Sequence, residues 1–412
     1  MAYLVAVLGL VQVLDSFSAS YTATFPSKVI EEFLPNWPTN DADALMSLVF
    51  GASTFGLYFV FVNQYLADRV GRKPVLALTT LGMGASALLL SLSWNVSSFG
   101  FFLFVSLIFV GSDLWLVYVT EEAPAERRGL YTNVVMILGI LGALVIPVVR
   151  GAALTDDSPP GAWRLMTIFP VALGFPLAAL VAFSVKETSV FSSVRPGPPD
   201  PGEGLATNLR KLASSKQFRQ LAVVCFMSLT LGLNYLLLQL GESYASTTIG
   251  LSDRQVNAAI SVVAVAVVGT YAVVGILSDG IGRRPLAYAF SAVLPLGCLF
   301  MYLASGAASP TGAFSLVVAG ICLAYVGHNG LQVLFRIVTS ELAPTEVRGT
   351  AGGLRGFVQS VGMTLGFFTG GALVSRLGLG LTFVVLGLPT LANLVLLAKV
   401  GETRGADLSR VE

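Results

Sequence analysis

The chain has 412 residues, of which 55% are apolar and 11% are Asp, Glu, Lys or Arg, less than half of the ~25% charged share of a soluble globular protein. Mean hydropathy is +0.79, and 24 basic against 23 acidic residues leave a net charge of +1. This composition cannot cover a water-exposed surface, and it excludes a soluble enzyme, a nucleic-acid binder and a disordered scaffold.

About 20 apolar residues are needed for a helix to cross the hydrocarbon core. Twelve runs qualify: 2–27, 44–66, 75–93, 98–120, 130–149, 164–184, 218–246, 256–278, 286–305, 313–338, 351–374 and 379–399. They are continuously apolar rather than alternating, which favours helices over an outer-membrane barrel. The first run starts at once, is too long for a signal peptide and contains Asp15. Cys225, Cys298 and Cys322 fall inside apolar runs without metal spacing and read as small core residues.

Span one places Gln12, Asp15, Ser16 and Ala19 on one helical face. A carboxylate at that depth costs ~2.5–3.5 kcal/mol on insertion scales, so Asp15 reads as a proton site or a structural hydrogen-bond acceptor facing a cavity. Span four carries Asp113, open to three readings: a second proton site, a partner for a substrate cation, or a structural partner of an arginine on span ten or eleven. The Pro/Gly-rich segment within 187–216 divides the chain into bundles 1–186 and 217–412, with a short surface helix expected near Leu205–Ser214.

Span seven aligns Tyr235, Gln239 and Glu242. Glu242 lies toward the outer mouth, where gating or substrate attraction suits it. On span ten, Tyr325, Asn329, Gln332, Arg336 and Ser340 follow one face. The planar fork of Arg336 suits a carboxylate, phosphate or sulfate, and equally a salt bridge to Asp15 or Asp113. His328, the only histidine, falls just off this stripe and reads as structure rather than a proton relay. Arg355 on span eleven is close enough to Arg348 to snorkel to the surface. Spans three, six, nine and twelve carry almost no such groups and can face lipid.

Numbered from an inside N-terminus, the inside segments hold seventeen of the basic residues and the outside segments five. That bias places both termini in the cytoplasm.

The two halves repeat. Asp68-Arg-Val-Gly71-Arg72-Lys73-Pro74 returns 211 residues later as Asp279-Gly-Ile-Gly282-Arg283-Arg284-Pro285. Glu121-Glu-Ala-Pro124-Ala-Glu-Arg-Arg128-Gly129 returns after 220 as Glu341-Leu-Ala-Pro344-Thr-Glu-Val-Arg348-Gly349. Two motifs recurring at nearly one period mark a duplicated bundle, the construction plan of secondary transporters.

On these motifs, and on Gly232-Leu-Asn234-Tyr235, the chain resembles the major facilitator superfamily, and its sugar-porter and organic-ion branch in particular. The resemblance spans essentially the whole chain and implies an all-α membrane fold of twelve helices in two pseudo-symmetric halves of six. It further implies that Asp68, Arg72, Glu121, Arg128, Asp279, Arg283, Glu341 and Arg348 form cytoplasmic charge networks that latch the outward-open state. Basic clusters that merely hold loops inside are the alternative. The sugar pattern is broken where Met136, Ser228, Leu229 and Arg336 stand in place of its glutamines and tryptophan, and Phe101 stands where some proton symporters carry an arginine.

The expectation is a monomeric secondary transporter of a prokaryotic inner membrane, working by proton symport of a small organic ion, with an anion favoured. A sugar or an organic cation or drug, moved by uniport or antiport, is the alternative. Asp15 and Asp113 are the candidate coupling groups. Gln12, Asn234, Tyr235, Gln239, Asn329, Gln332 and Arg336 are the candidate substrate contacts. No nucleotide motif, metal cluster or cofactor site is present in the sequence, and no catalytic constellation points to an enzyme.

Overall fold

The computed structural model describes residues 1–112, 114–124, 127–193, 205–344 and 347–404, and only the backbone of residues 61, 68, 128, 129, 190 and 193. Within them the chain is helical, without a β-strand. Eleven helical stretches are long and apolar enough to cross a membrane. The last, Arg348–Lys399, contains the non-helical Gly378, so it divides into two and gives the twelve expected spans. The anticipated surface helix is present at Leu205–Ser214, with Leu212 buried and Leu205 exposed.

The chain forms two compact units, Met1–Asn36 with Ala52–Gly197, and Trp37–Gly51 with Pro198–Glu412. In the first, Trp163 is fully buried, stacked on Phe25 and edge-on to Phe99. Its indole N–H donates to Glu32 at 2.6 Å, and Arg164 pairs with the same carboxylate while donating to the Ser91 and Ser93 carbonyls. Arg150 is also fully buried and donates to the Thr24 carbonyl at 2.7 Å, serving the end of span one. In the second unit, the start of span two is tied to its neighbours by Ser47, which donates to the Phe367 carbonyl, and by Asp43, which accepts from Ser243 at 2.7 Å.

Several spans are less regular than their apolar runs imply, spans one, seven and four among them. Span one is α-helical over Ala2–Ser20, tightens over Tyr21–Thr24, and is followed by a separate helix Pro26–Phe33. Span seven breaks at Asn234, between Phe218–Leu233 and Tyr235–Ser243. Span four is two helices, Val96–Phe109 and Leu114–Glu122, separated where Val110 turns extended and Gly111 takes φ +74°. Apolarity sets a span's length, but a single positive-φ glycine sets its continuity.

Helices in lipid gain little from burying apolar surface against one another, so close contact at small residues carries their association. Spans seven and eleven meet this way. A Cβ at Gly362 would lie 2.2 Å from the Leu229 carbonyl, one at Gly366 2.5 Å from that of Leu233, and one at Gly232 2.3 Å from that of Gln359. Gly356, on the same span, has open space around its Cβ position. Gly362→Ala should therefore destabilise the detergent-solubilised protein by about 1–3 kcal/mol. Gly356→Ala should not, and thermal unfolding of the two variants side by side checks this.

Candidate functional site

Both D-x-x-G-R turns adopt the same backbone. Gly71 has φ +121° and Gly282 φ +101°, a region closed to side chains with a Cβ. Each glycine is also approached by a carboxylate: a Cβ at Gly71 would lie 2.4 Å from Glu187 Oε2, and one at Gly282 2.7 Å from Glu402 Oε2. Those carboxylates cap the next helix. Glu187 accepts from the backbone N–H of Arg72 at 3.0 Å and of Lys73 at 3.2 Å. Glu402 accepts from Arg283 at 2.9 Å and Arg284 at 3.0 Å. A helix N-terminus presents unpaired N–H groups and a positive dipole end, so an anion is stabilising there.

The arginine side chains turn back to the repeated glutamates. Arg72 reaches Glu121 at 3.1 Å, donates to the Ala67 carbonyl, and lies 5.0 Å over the Phe191 ring. Arg283 pairs with Glu341 and with Asp279, each at 2.9 Å, and donates to the Ser278 carbonyl. Thr403 donates to the other oxygen of Glu341. The structure thus brings together Arg72 with Glu121, and Arg283 with Asp279 and Glu341. The side chains of Asp68 and Arg128 lie outside the described residues. Glu187 and Glu402 were not among the residues singled out from sequence. Their signal was a third repeat, Glu187-Thr188 and Glu402-Thr403, at an offset of 215 between the other two.

Within the first unit's spans, Asp15 is partly buried and accepts from the Gly111 N–H at 2.8 Å. Gln12, one turn away, packs over Gly139, and its Oε1 is buried without a hydrogen-bond partner among the described residues. Asp113 lies outside the described residues.

In the second unit the span-ten stripe keeps its common face. Tyr325, Asn329, Gln332 and Ser340 are partly buried and Arg336 is exposed, between the buried Leu331, Leu334 and Phe335. Tyr325 donates to the Leu238 carbonyl at 2.7 Å, and Tyr271 donates to Asn329 at 3.4 Å. Among the described residues neither Gln332 nor Arg336 makes a hydrogen bond or ion pair. His328 is 1% exposed, edge-on to Tyr235, with neither ring nitrogen hydrogen-bonded among the described residues.

Three expectations need revision. Asn234 was grouped with the substrate contacts, but its amide is engaged inside the bundle, donating to Thr390 at 2.7 Å and to the Thr230 carbonyl while accepting from Cys298. These bonds turn the amide into the bundle at the break in span seven. That arrangement also gives span twelve polar contacts, Thr390 and Asn393, that an all-lipid reading of it lacked. Arg355 does not reach the surface: it is 5% exposed and donates to Gln359 at 3.0 Å. Gln239 and Glu242 are likewise buried, at 7% and 5% exposure.

Burial raises the Glu402 carboxyl pKa, but backbone N–H donors from Arg283, Arg284, Arg404 and Thr403 outweigh it and hold the group below the usual carboxylate value. A pKa lowered by folding adds stability above the unfolded value, and that stability is lost as pH falls through the folded one. Wild type should therefore melt above Glu402→Gln at neutral pH, and the gap should close as pH falls below the ordinary carboxylate range. Thermal unfolding of both proteins across that range reads it directly.

Comparison with known proteins places the chain among membrane transporters. A Major Facilitator Superfamily model matches residues 8–366 and 240–409. The inner membrane metabolite transport protein YhjE of Escherichia coli K12 is 26% identical, covering 95% of this chain and 91% of its own. A cis,cis-muconate transport protein of Acinetobacter baylyi is 26% identical, covering 85% and 83%. Among solved structures, that of a D-xylose–proton symporter superposes with a TM-score of 0.77 at 19% identity, covering 97% of this chain and 98% of that one. By this match across its length, and in keeping with its duplicated motifs and twelve spans, the chain belongs to the Major Facilitator Superfamily of membrane transporters.

Proposed function

We propose that this transporter is a proton-coupled symporter of a small organic anion, with a carboxylate as the group it recognises. Arg336 carries the reading. It is a permanently charged guanidinium inside a span, exposed on a face with Asn329 and Gln332, and it has no carboxylate partner among the described residues. A charge left in that position is stabilised by a counter-ion, and a bidentate carboxylate matches its fork. The relative named for muconate, a carboxylate, supports the same class.

A sugar substrate is less well supported. Where the resembling branch offers glutamines, this chain has Met136, which is exposed and apolar, and Ser228, which is fully buried with its hydroxyl turned to the Val224 carbonyl. A sugar's hydroxyls need matching groups, because each buried polar group left unpaired costs ~1–3 kcal/mol.

Asp15 is the coupling group in this reading, since a carboxylate inside a span can load and release a proton and Arg336 cannot. Asp113 is a second candidate, and Gln12, Tyr235, Gln239, Asn329 and Gln332 complete the substrate set. The seventeen-to-five bias of basic residues supports cytoplasmic termini in a plasma membrane. Opening and closing of the Arg72 and Arg283 networks would accompany alternation between states, because charge pairs at helix ends hold one arrangement and break in another.

Asp15→Asn should abolish accumulation driven by an imposed pH step in proteoliposomes while sparing exchange of labelled substrate. Arg336→Gln should weaken binding of anionic ligands by ~2–5 kcal/mol, and Arg336→Lys less, with neutral analogues of the same shape unaffected. Calorimetric titration of the purified variants with paired acids and amides checks this. Full rescue of binding in Arg336→Gln by an added Asp113→Asn would make the arginine an internal partner and remove the organic-anion assignment.

A further inference from the structure

The break in span four is compensated from both sides. In a continuous helix the Gly111 N–H would donate to the carbonyl four residues back, that of Leu107, and the Ile108 carbonyl would accept from residue 112. Instead the Gly111 N–H donates to Asp15 on span one at 2.8 Å. The Ile108 carbonyl accepts from the amide of Asn63 on span two at 2.7 Å, and Asn63 is 5% exposed. An unpaired backbone group in hydrocarbon costs several kcal/mol. Two side chains from two other spans thus hold open a gap that the helix would otherwise close.

The two supports differ chemically. Asn63 has no proton to gain or lose, but Asp15 has. As a carboxylate, Asp15 offers the Gly111 N–H a charged acceptor; with a proton added to it, the acceptor is neutral and weaker. The helix beyond the break, Leu114–Glu122, ends in Glu121, the partner of Arg72 at 3.1 Å. A displacement of that half-helix would displace Glu121 from Arg72.

We propose that Val110 and Gly111 form a proton-operated joint, in which the Gly111 backbone positions the Asp15 carboxylate and protonation of Asp15 releases the half-helix Leu114–Glu122 and its hold on Arg72. No bond is made or broken besides hydrogen bonds: the proton goes to a carboxylate oxygen of Asp15, and the Gly111 N–H turns from that oxygen toward the Leu107 carbonyl. The joint rests on the reading of Asp15 as the proton carrier, and it supplies a coupling path in a chain that has Phe101 where an arginine would serve.

Other titratable groups lie on the elements packed against span one. They are Tyr118, Glu121 and Glu122 on the half-helix, Arg72 and Lys73 on span three, and Arg128, Tyr131 and Arg150 on span five; the helix Ile168–Ser184 of span six has none. Asp113 lies outside the described residues. The response is therefore assigned to Asp15 by variant, not by pH alone.

Gly111 is a clean probe, because a Cβ there meets nothing within 4 Å while its φ of +74° disfavours any side chain. Gly111→Ala changes the freedom of the backbone without a clash. Spin labels at exposed Phe101 and Leu116 span the joint, placed in the full chain with Cys225, Cys298 and Cys322 replaced and reconstituted in nanodiscs. Distance distributions should show two populations whose ratio changes several-fold between about pH 3 and about pH 8, a range that brackets the ordinary aspartate value. In Asp15→Asn the ratio should not depend on pH, and in Gly111→Ala one population should dominate at every pH. Asp15→Ser provides a second neutral variant should the first fail to fold.

A distribution unchanged with pH, or a pH response that survives both Asp15 variants, overturns the joint. Accumulation measured on the same unlabelled proteins separates the two readings. Proton-driven accumulation with a static joint removes only the joint, and a moving joint without accumulation removes only the symport.

Discussion

A chain in hydrocarbon has no solvent to complete its backbone hydrogen bonds, so every interruption of a helix must find a donor or acceptor in the protein itself. The irregular points of this molecule follow that constraint. At the break in span four, Asp15 takes the Gly111 N–H and Asn63 serves the Ile108 carbonyl. At the end of span one, Arg150 is buried to serve the Thr24 carbonyl. At the starts of spans three and nine, Glu187 and Glu402 accept from the first backbone N–H groups. Several of the ionisable residues inside or beside the spans are thus also backbone partners. A change in their charge is felt by a helix.

The duplicated motifs make physical sense as one device built twice. The aspartate-to-arginine loop turns on a glycine whose positive φ lets the chain reverse and whose missing Cβ admits a carboxylate. The arginine that follows then closes on a glutamate of the fourth or tenth span. Arg283 holds Asp279 and Glu341, with Thr403 on the second, and Arg72 holds Glu121 and the Ala67 carbonyl beside the Phe191 ring; the side chain of Asp68, the counterpart of Asp279, lies outside the described residues.

The intramembrane polar groups fall into two kinds. Asn234, Arg355 and Gln359 are buried and bonded to their neighbours, which is how polar groups serve helix packing in lipid. Gln332 and Arg336 share the less buried face of span ten and have no bond among the described residues. Polar capacity left over in a span has a use only where water or a ligand can meet it. This difference, more than the number of polar residues, separates candidate contacts from structural ones.

Length, apolar runs and charge placement are properties of the chain taken one residue after another. The sequence by itself therefore determined the twelve spans, the duplication and the polar stripe of span ten, while the family resemblance named members of the charge networks without saying which arginine meets which glutamate. Helical periodicity says which residues share a face, but not which helix that face meets. Only the tertiary structure decided that Asn234 turns to Thr390, that Arg355 stays buried on Gln359, and that Asp43 meets Ser243. The same holds for Glu187 and Glu402, which cap helices whose first residues lie more than a hundred positions away in sequence. The break at Gly111 was the least legible of all, because hydropathy averaged over twenty residues does not register one backbone N–H that has found a carboxylate on another helix.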